Sequence, residues 1–259
     1  MTAVATTPTT AAPATNRPNR ARRRANALWG LVAWLVGIVF FLPVAWMVLT
    51  SLHSEADAGT NPPKFTAPLT LDGYREFFGA TTGASPWPPL INSATASIAS
   101  TLLVLALAIP AAYALAIKPV RKWTDVLFFF LSTKMLPAVA ALLPIYLIAQ
   151  KLGLLDNIWL MVILYTSMNL PIAVWMMHSF LAEVLICFIF SWNELLFARV
   201  LTATVAQTAP VFLTSFVTSQ GLFLAKVCAA ATAISLPVLA AGFAAQDKLV
   251  QGLSLGAVK

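Results

Sequence analysis

The sequence predicts an all-α membrane protein with about six membrane-crossing helices. Three observations lead there. Of 259 residues, 59% are hydrophobic and 10% are charged, whereas a soluble domain carries about 25% charged residues. Mean hydropathy is +0.83. Stretches such as "FFLPVAWMVL" and "LLVLALAIPAAYALA" are apolar on every face, without the alternation over about ten residues that marks a membrane β-strand.

Each element follows from the need for about 20 mainly apolar residues to cross the hydrocarbon core. Residues 1–27 are rich in Thr, Ala and Pro and close with Arg17, Arg20, Arg22, Arg23 and Arg24. With so little large apolar surface, they read as a disordered basic tail. The run 28–50 is too long for the apolar core of a signal peptide, and no small-x-small cleavage site follows it, so it reads as the first span. Further spans are expected over 90–117, 126–149, 157–181, 185–205 and 224–245. Together they make one transmembrane domain, 28–259.

Orientation follows from the cations, which gather in short cytoplasmic segments. With the N-terminus inside, that side holds the tail arginines, Lys118, Arg121, Lys122, Lys248 and Lys259, and the other side holds Lys64, Arg75 and Lys151. Both termini are therefore expected in the cytoplasm of a bacterial cell, below its inner membrane, with 53–89 and 206–223 as external loops. Topology accounts for the excess of 16 Lys and Arg over 9 Asp and Glu, so no nucleic-acid partner is expected. Trp29, Trp46, Trp87, Trp123 and Trp159 fall near span ends, where an indole favours the headgroup layer of the lipid bilayer.

Ionisable residues inside a span are costly unless paired or hydrated, which makes each a candidate. Lys134 and Glu194, with Asn193 beside it, are the pathway or ion-pair candidates. Counted from the cytoplasmic starts of their spans, both carboxylate and ammonium lie about 12 to 14 Å deep. They are expected to form an ion pair or a shared polar lining between the third and fifth spans; a pair that only locks two helices, or Lys134 snorkelling alone towards the cytoplasm, is an equal reading. Arg199 is expected to reach the outer interface. Pro110, Pro137, Pro144, Pro171 and Pro237 fall within spans and should kink them. Cys187 and Cys228 sit in apolar runs without ligand spacing, and His53 and His178 lack nearby carboxylates. No catalytic site, no metal site and no enzyme is predicted.

Several stretches together resemble the permease subunits of carbohydrate-uptake ABC transporters of the maltose type. They are "LTLDGYREFFG", "INSATASIASTLLVLALAIPAAYALA", "LLPIYLIAQKLGLLDN", "LPIAVWMMHSF", "FSWNELLFARVLT" and "LVQGLSLGAVK", in order over 28–259. "LSTKMLPAVAALLPIYL", with Lys134, is most similar to members that import polyols such as mannitol and sorbitol. The resemblance implies an ABC importer permease bundle whose partners are a second permease subunit, an ATPase dimer and an extracytoplasmic solute-binding protein. It implies no cofactor on this chain, ATP being bound by the partners, and a sugar or polyol as substrate.

In that family a cytoplasmic E-A-A-x-x-x-G loop docks into the ATPase between the fourth and fifth spans. Here "HSFLAEV" matches the approach and "LICFIFSWNELL" the span beyond, and no E-A-A tripeptide occurs. Glu183, Val184 and Leu185 form the junction. Ala182, Glu183 and Val184 are expected to make a tight turn, which can close a helix pair but cannot project a helix into a partner, since one turn already takes about 3.6 residues. Coupling to the ATPase is therefore expected to be impaired. The alternatives are a non-transporting structural or assembly subunit, and a passive channel. A channel would need a polar face recurring along several spans, against which stand only Asn92, Ser93, Ser97 and Ser100.

Overall fold

The computed structural model describes the backbone of residues 20–62, 64–79, 85–116, 122–135, 138–176, 180–218 and 221–255. The chain divides into two compact units, Met1–Trp46 and Met47–Lys259. Helix α1 (Arg20–Ser51) therefore begins inside the stretch expected to be a tail, at the arginine cluster. Residues 1–19 lie outside the described residues. In the first unit the side chains from Ala27 to Val44 are exposed, among them Trp34 and Phe40.

The second unit is built on three long helices: α4 (Trp87–Ala116), α7 (Ile158–Met176) and α11 (Leu224–Leu255). With α1 they are the four described helices long and apolar enough to cross a membrane. They correspond to the first, second, fourth and sixth expected spans. The protein is an α-helical membrane protein, as the composition predicts.

The third and fifth expected spans differ from expectation. Over 126–149 lie two helices, α5 (Trp123–Thr133) and α6 (Ala138–Lys151). Over 185–205 lie α8 (Phe180–Trp192) and α9 (Leu196–Leu201). Hydropathy cannot see these interruptions, because the residues at them are too few to lower a 20-residue average. Prolines do not mark them in the simple way expected: Pro110, Pro144, Pro171 and Pro237 all sit inside continuous helices. Pro137 lies outside the described residues.

Side chains explain the second break. At the end of α8 the Ile189 carbonyl accepts both from the Asn193 amide at 3.0 Å and from Asn193 Nδ2 at 2.9 Å. Glu194 then caps α9: its carboxylate accepts from the Phe197 and Ala198 amides at 2.8 and 3.1 Å. A carboxylate across the first amides of a helix meets both their missing partners and their partial positive charge.

Short elements fill the connections. α2 (Glu55–Ala58) and α3 (Asp72–Phe77) lie between α1 and α4. α10 (Ala209–Leu213) is followed by a 3-10 turn at Thr214–Phe216 and a two-residue antiparallel pairing of β1 (Val217–Thr218) with β2 (Gly221–Leu222). Alanines set the close approach of the long helices, since a small side chain lets backbones near each other. Ala108 and Ala173 are fully buried where α4, α7 and α8 meet, and Ala96 where α4 meets α6, α7 and α9. α3 packs on α11 through Gly73, where an added Cβ would stand 3.0 Å from the Ala225 carbonyl oxygen and the Ala229 Cβ.

Candidate functional site

Polar groups gather in two places in the second unit, inside the bundle and at one end of it. Inside, Ser93, Ser97 and Ser100 repeat at helical spacing on α4 and are buried, so they share a face. The Ser100 and Ser191 hydroxyls are 3.1 Å apart, and Asn169 donates to Ser191 at 3.0 Å. This joins α4, α7 and α8 through one polar node. The Ser97 and Thr101 hydroxyls beside it are buried without a hydrogen-bond partner. One turn nearer the start of α7, Tyr165 donates to the Glu194 carboxylate at 3.3 Å.

At the end of the bundle Asp156 acts as a clamp. Four successive amides, those of Ala203, Thr204, Val205 and Ala206, donate to its carboxylate at 2.8 to 3.1 Å. Burial raises the affinity of that carboxyl for a proton, but the four donors outweigh burial and hold it at about 2. Asn92 fastens the same loop from α4, donating to the Val205 and Gln207 carbonyls at 2.8 and 2.9 Å. Ser93 accepts from the Ala209 amide at 2.7 Å. On the other side, Glu55 accepts from the first amides of α11, at Ala225 and Lys226, and Lys226 reaches Glu76 at 3.9 Å.

The structure does not bring the Lys134 and Glu194 side chains into an ion pair. Glu194 is occupied by α9 and Tyr165, while Lys134 caps the end of α5 and is exposed. Pairing them assumes equal depth along two straight helices, and neither segment is one straight helix. Asn193 is exposed, with its amide turned back on α8. Arg199 is exposed and donates to Thr214 at 2.7 Å.

The junction also differs from expectation. Ala182, Glu183 and Val184 are helical, within α8, and not a turn. Leu181, Ala182, Glu183 and Leu185 are good helix formers, and neither Gly nor Pro interrupts the stretch around them, which accounts for this. The side chain of Glu183 lies outside the described residues. Val184 and Leu185 line an apolar cleft of 290 Å³ with Ile98, Leu102 and Ala241. His178 is outside the described residues, and His53 is buried with Nε2 unpartnered.

Sequence reading missed Asp156, Asn169 and Ser191. The spacing of Ser93, Ser97 and Ser100 was the available signal for the node, and an amide at position 169 in an otherwise apolar run was the second. Asp156 carried no signal, because its donors come from residues 47 to 50 positions away.

No protein-family model matches the chain. A probable ABC transporter permease protein of Sinorhizobium fredii is 35% identical, with 93% of this chain and 98% of the relative aligned. The trehalose transport system permease protein of Mycobacterium tuberculosis is 27% identical over 92% of this chain and 98% of its own length. Among solved structures, a chain from a bacterial ABC transporter involved in import of the acidic polysaccharide alginate superposes with a TM-score of 0.63. That match covers 90% of this chain and 99% of the other at 18% identity, and so speaks for the fold. Bundle, composition and end-to-end similarity agree: the chain belongs to the family of ABC transporter permease proteins.

Proposed function

We propose that this chain is one membrane subunit of an ATP-driven importer for a sugar or polyol. The observation that carries the reading is similarity along nearly the whole chain to permeases named for trehalose, diacetylchitobiose and the melibiose group. A second permease subunit, an ATPase dimer and an extracytoplasmic solute-binding protein complete the assembly, and ATP stays on the ATPase. The positive-inside distribution supports cytoplasmic termini. The mannitol or sorbitol type is the narrower reading of "LSTKMLPAVAALLPIYL".

The chain is shorter than the relatives it aligns with, and we read that difference as bearing on coupling. The alignment with the Sinorhizobium relative runs over 276 positions; 93% of 259 residues is about 241, so this chain falls short by about 35 positions. The trehalose relative gives 275 positions against about 238 residues, a shortfall of about 37. A shortfall of that size is what loss of a docking loop would leave, and we place that loss at Glu183, Val184 and Leu185.

The same shortfall favours a second reading, a subunit that assembles with the permease pair without transporting. Co-purification with the ATPase and the second membrane subunit separates the two, alongside a version carrying a family-type loop inserted after Val184. Substrate-stimulated ATP hydrolysis is expected only with the inserted loop. If the unaltered chain supports it equally, another surface does the coupling and the loop-loss reading is wrong. If neither version hydrolyses ATP while both assemble, the assembly-subunit reading is favoured.

A further inference from the structure

Helix α1 begins within the arginine cluster and runs without a break into the first span. Its 32 residues start at Arg20, and its apolar stretch, Ala27–Ser51, is 25 residues long. That stretch rises about 37 Å, enough to fill a hydrocarbon core of about 30 Å from end to end. The arginines ahead of it are therefore set at the edge of the core. Arg24 and Arg20 precede Ala27 by about 4 and 10 Å along the helix. A headgroup layer is about 5 to 7 Å deep, and the field of its charges reaches about 8 Å further.

The local sequence offers this charge no anion. Arg20, Arg23 and Arg24 stand at i, i+3 and i+4 and so share one side of the helix, where like charges repel. The first turn carries no acidic residue, and no Asp or Glu precedes Glu55. The cations also stand at the positive end of the helix dipole, where acids are the favourable residues. Every cation from Arg17 to Arg24 is an arginine. A guanidinium presents a planar fork of N–H donors that matches a phosphate, and it is more weakly hydrated than an ammonium group. A cluster of about four to eight cations flanking a span is the pattern that recruits anionic lipid.

We propose that the start of α1 is a binding site for an anionic phospholipid, whose phosphate is held by Arg20, Arg23 and Arg24. The helix distinguishes this from a diffuse charge on a tail, because it fixes the three positions relative to one another and to the span they adjoin. The acyl chains lie along α1, whose side chains from Ala27 to Val44 are exposed. The site needs only that α1 crosses the membrane, so it stands or falls apart from the permease reading.

The test titrates the full chain, delipidated in a neutral detergent, with phosphatidylglycerol or phosphatidylcholine and counts bound lipid by native mass spectrometry. The unsubstituted chain is expected to bind phosphatidylglycerol at least about tenfold more tightly, and less tightly as salt rises. R20Q/R23Q/R24Q should bring the two lipids within about twofold of each other, with the thermal midpoint in lipid-free detergent unchanged. A photoactivatable phosphatidylglycerol should label the unsubstituted chain within residues 20–34, a readout that needs no substitution. Equal affinity for the two lipids overturns the site, as does an unaltered preference in the triple variant or labelling confined to the helices of the second unit. Displacement of the lipid by inorganic phosphate at equal concentration also overturns it, since the arginines would then serve a free anion.

Discussion

Two kinds of membrane segment lie side by side in this molecule. α4, α7 and α11 cross as single helices with prolines inside them, whereas α5 with α6, and α8 with α9, divide what hydropathy reads as one span. Proline does not separate the two kinds. The difference lies in what satisfies the backbone. Within the bundle a proline removes one donor, and neighbouring helices and hydroxyls accommodate the freed carbonyl. At Glu194 a carboxylate replaces the backbone as acceptor for the first amides of α9, and the helix stops and restarts. An intramembrane polar residue can thus serve as a helix terminus as well as a pathway group.

The largest expected effect comes from unfastening the loop that follows the broken segment. Asp156→Ala removes an acceptor shared by four amides and should destabilise the folded protein by about 3 kcal/mol, read as a lowered thermal midpoint in detergent. Hydrogen exchange should accelerate at residues 203–206 and stay slow in α4. The pH dependence has a definite sign. The folded carboxyl sits at about 2 against an ordinary 3.8, so its contribution is complete above about pH 4 and is lost as pH falls through 2. Unchanged exchange in the variant would mean that Asn92 alone holds the loop.

A smaller effect tests an unbroken crossing. Gly73→Ala places a methyl 3.0 Å from the α11 backbone and should cost about 2 kcal/mol, with Gly73→Ser no better. If α3 simply lifts away, proteolysis within residues 52–86 will rise while the bundle keeps its melting temperature. Next comes the break itself. Glu194→Ala should cost about 1 kcal/mol through the lost cap of α9, and Glu194→Gln less, because an amide oxygen still accepts. A fully neutral Glu194→Ala would show that α9 is held by Phe197 and Leu201 in the core and needs no cap. The smallest change is expected at the polar node between unbroken crossings. Asn169→Ala should cost about 0.6 kcal/mol, typical of hydrogen bonds between membrane helices. A double substitution with Ser191→Ala should cost less than the sum of the two, since both remove one shared bond.

The sequence by itself determined the class, the membrane environment and the six apolar segments, four of which are continuous helices, because burial in hydrocarbon demands long apolar runs whatever their neighbours. It also held the motifs that resemble the permease family. The tertiary structure alone decided where two segments break, which groups Glu194 serves, and that four amides converge on Asp156. Those are contacts between residues distant in the chain, or choices between backbone and side-chain partners, and no average over neighbouring residues contains them. Lys134 shows the boundary between the two. Its identity within an apolar run is written in the sequence, but its place at the end of α5, with Glu194 engaged elsewhere, is visible only in three dimensions.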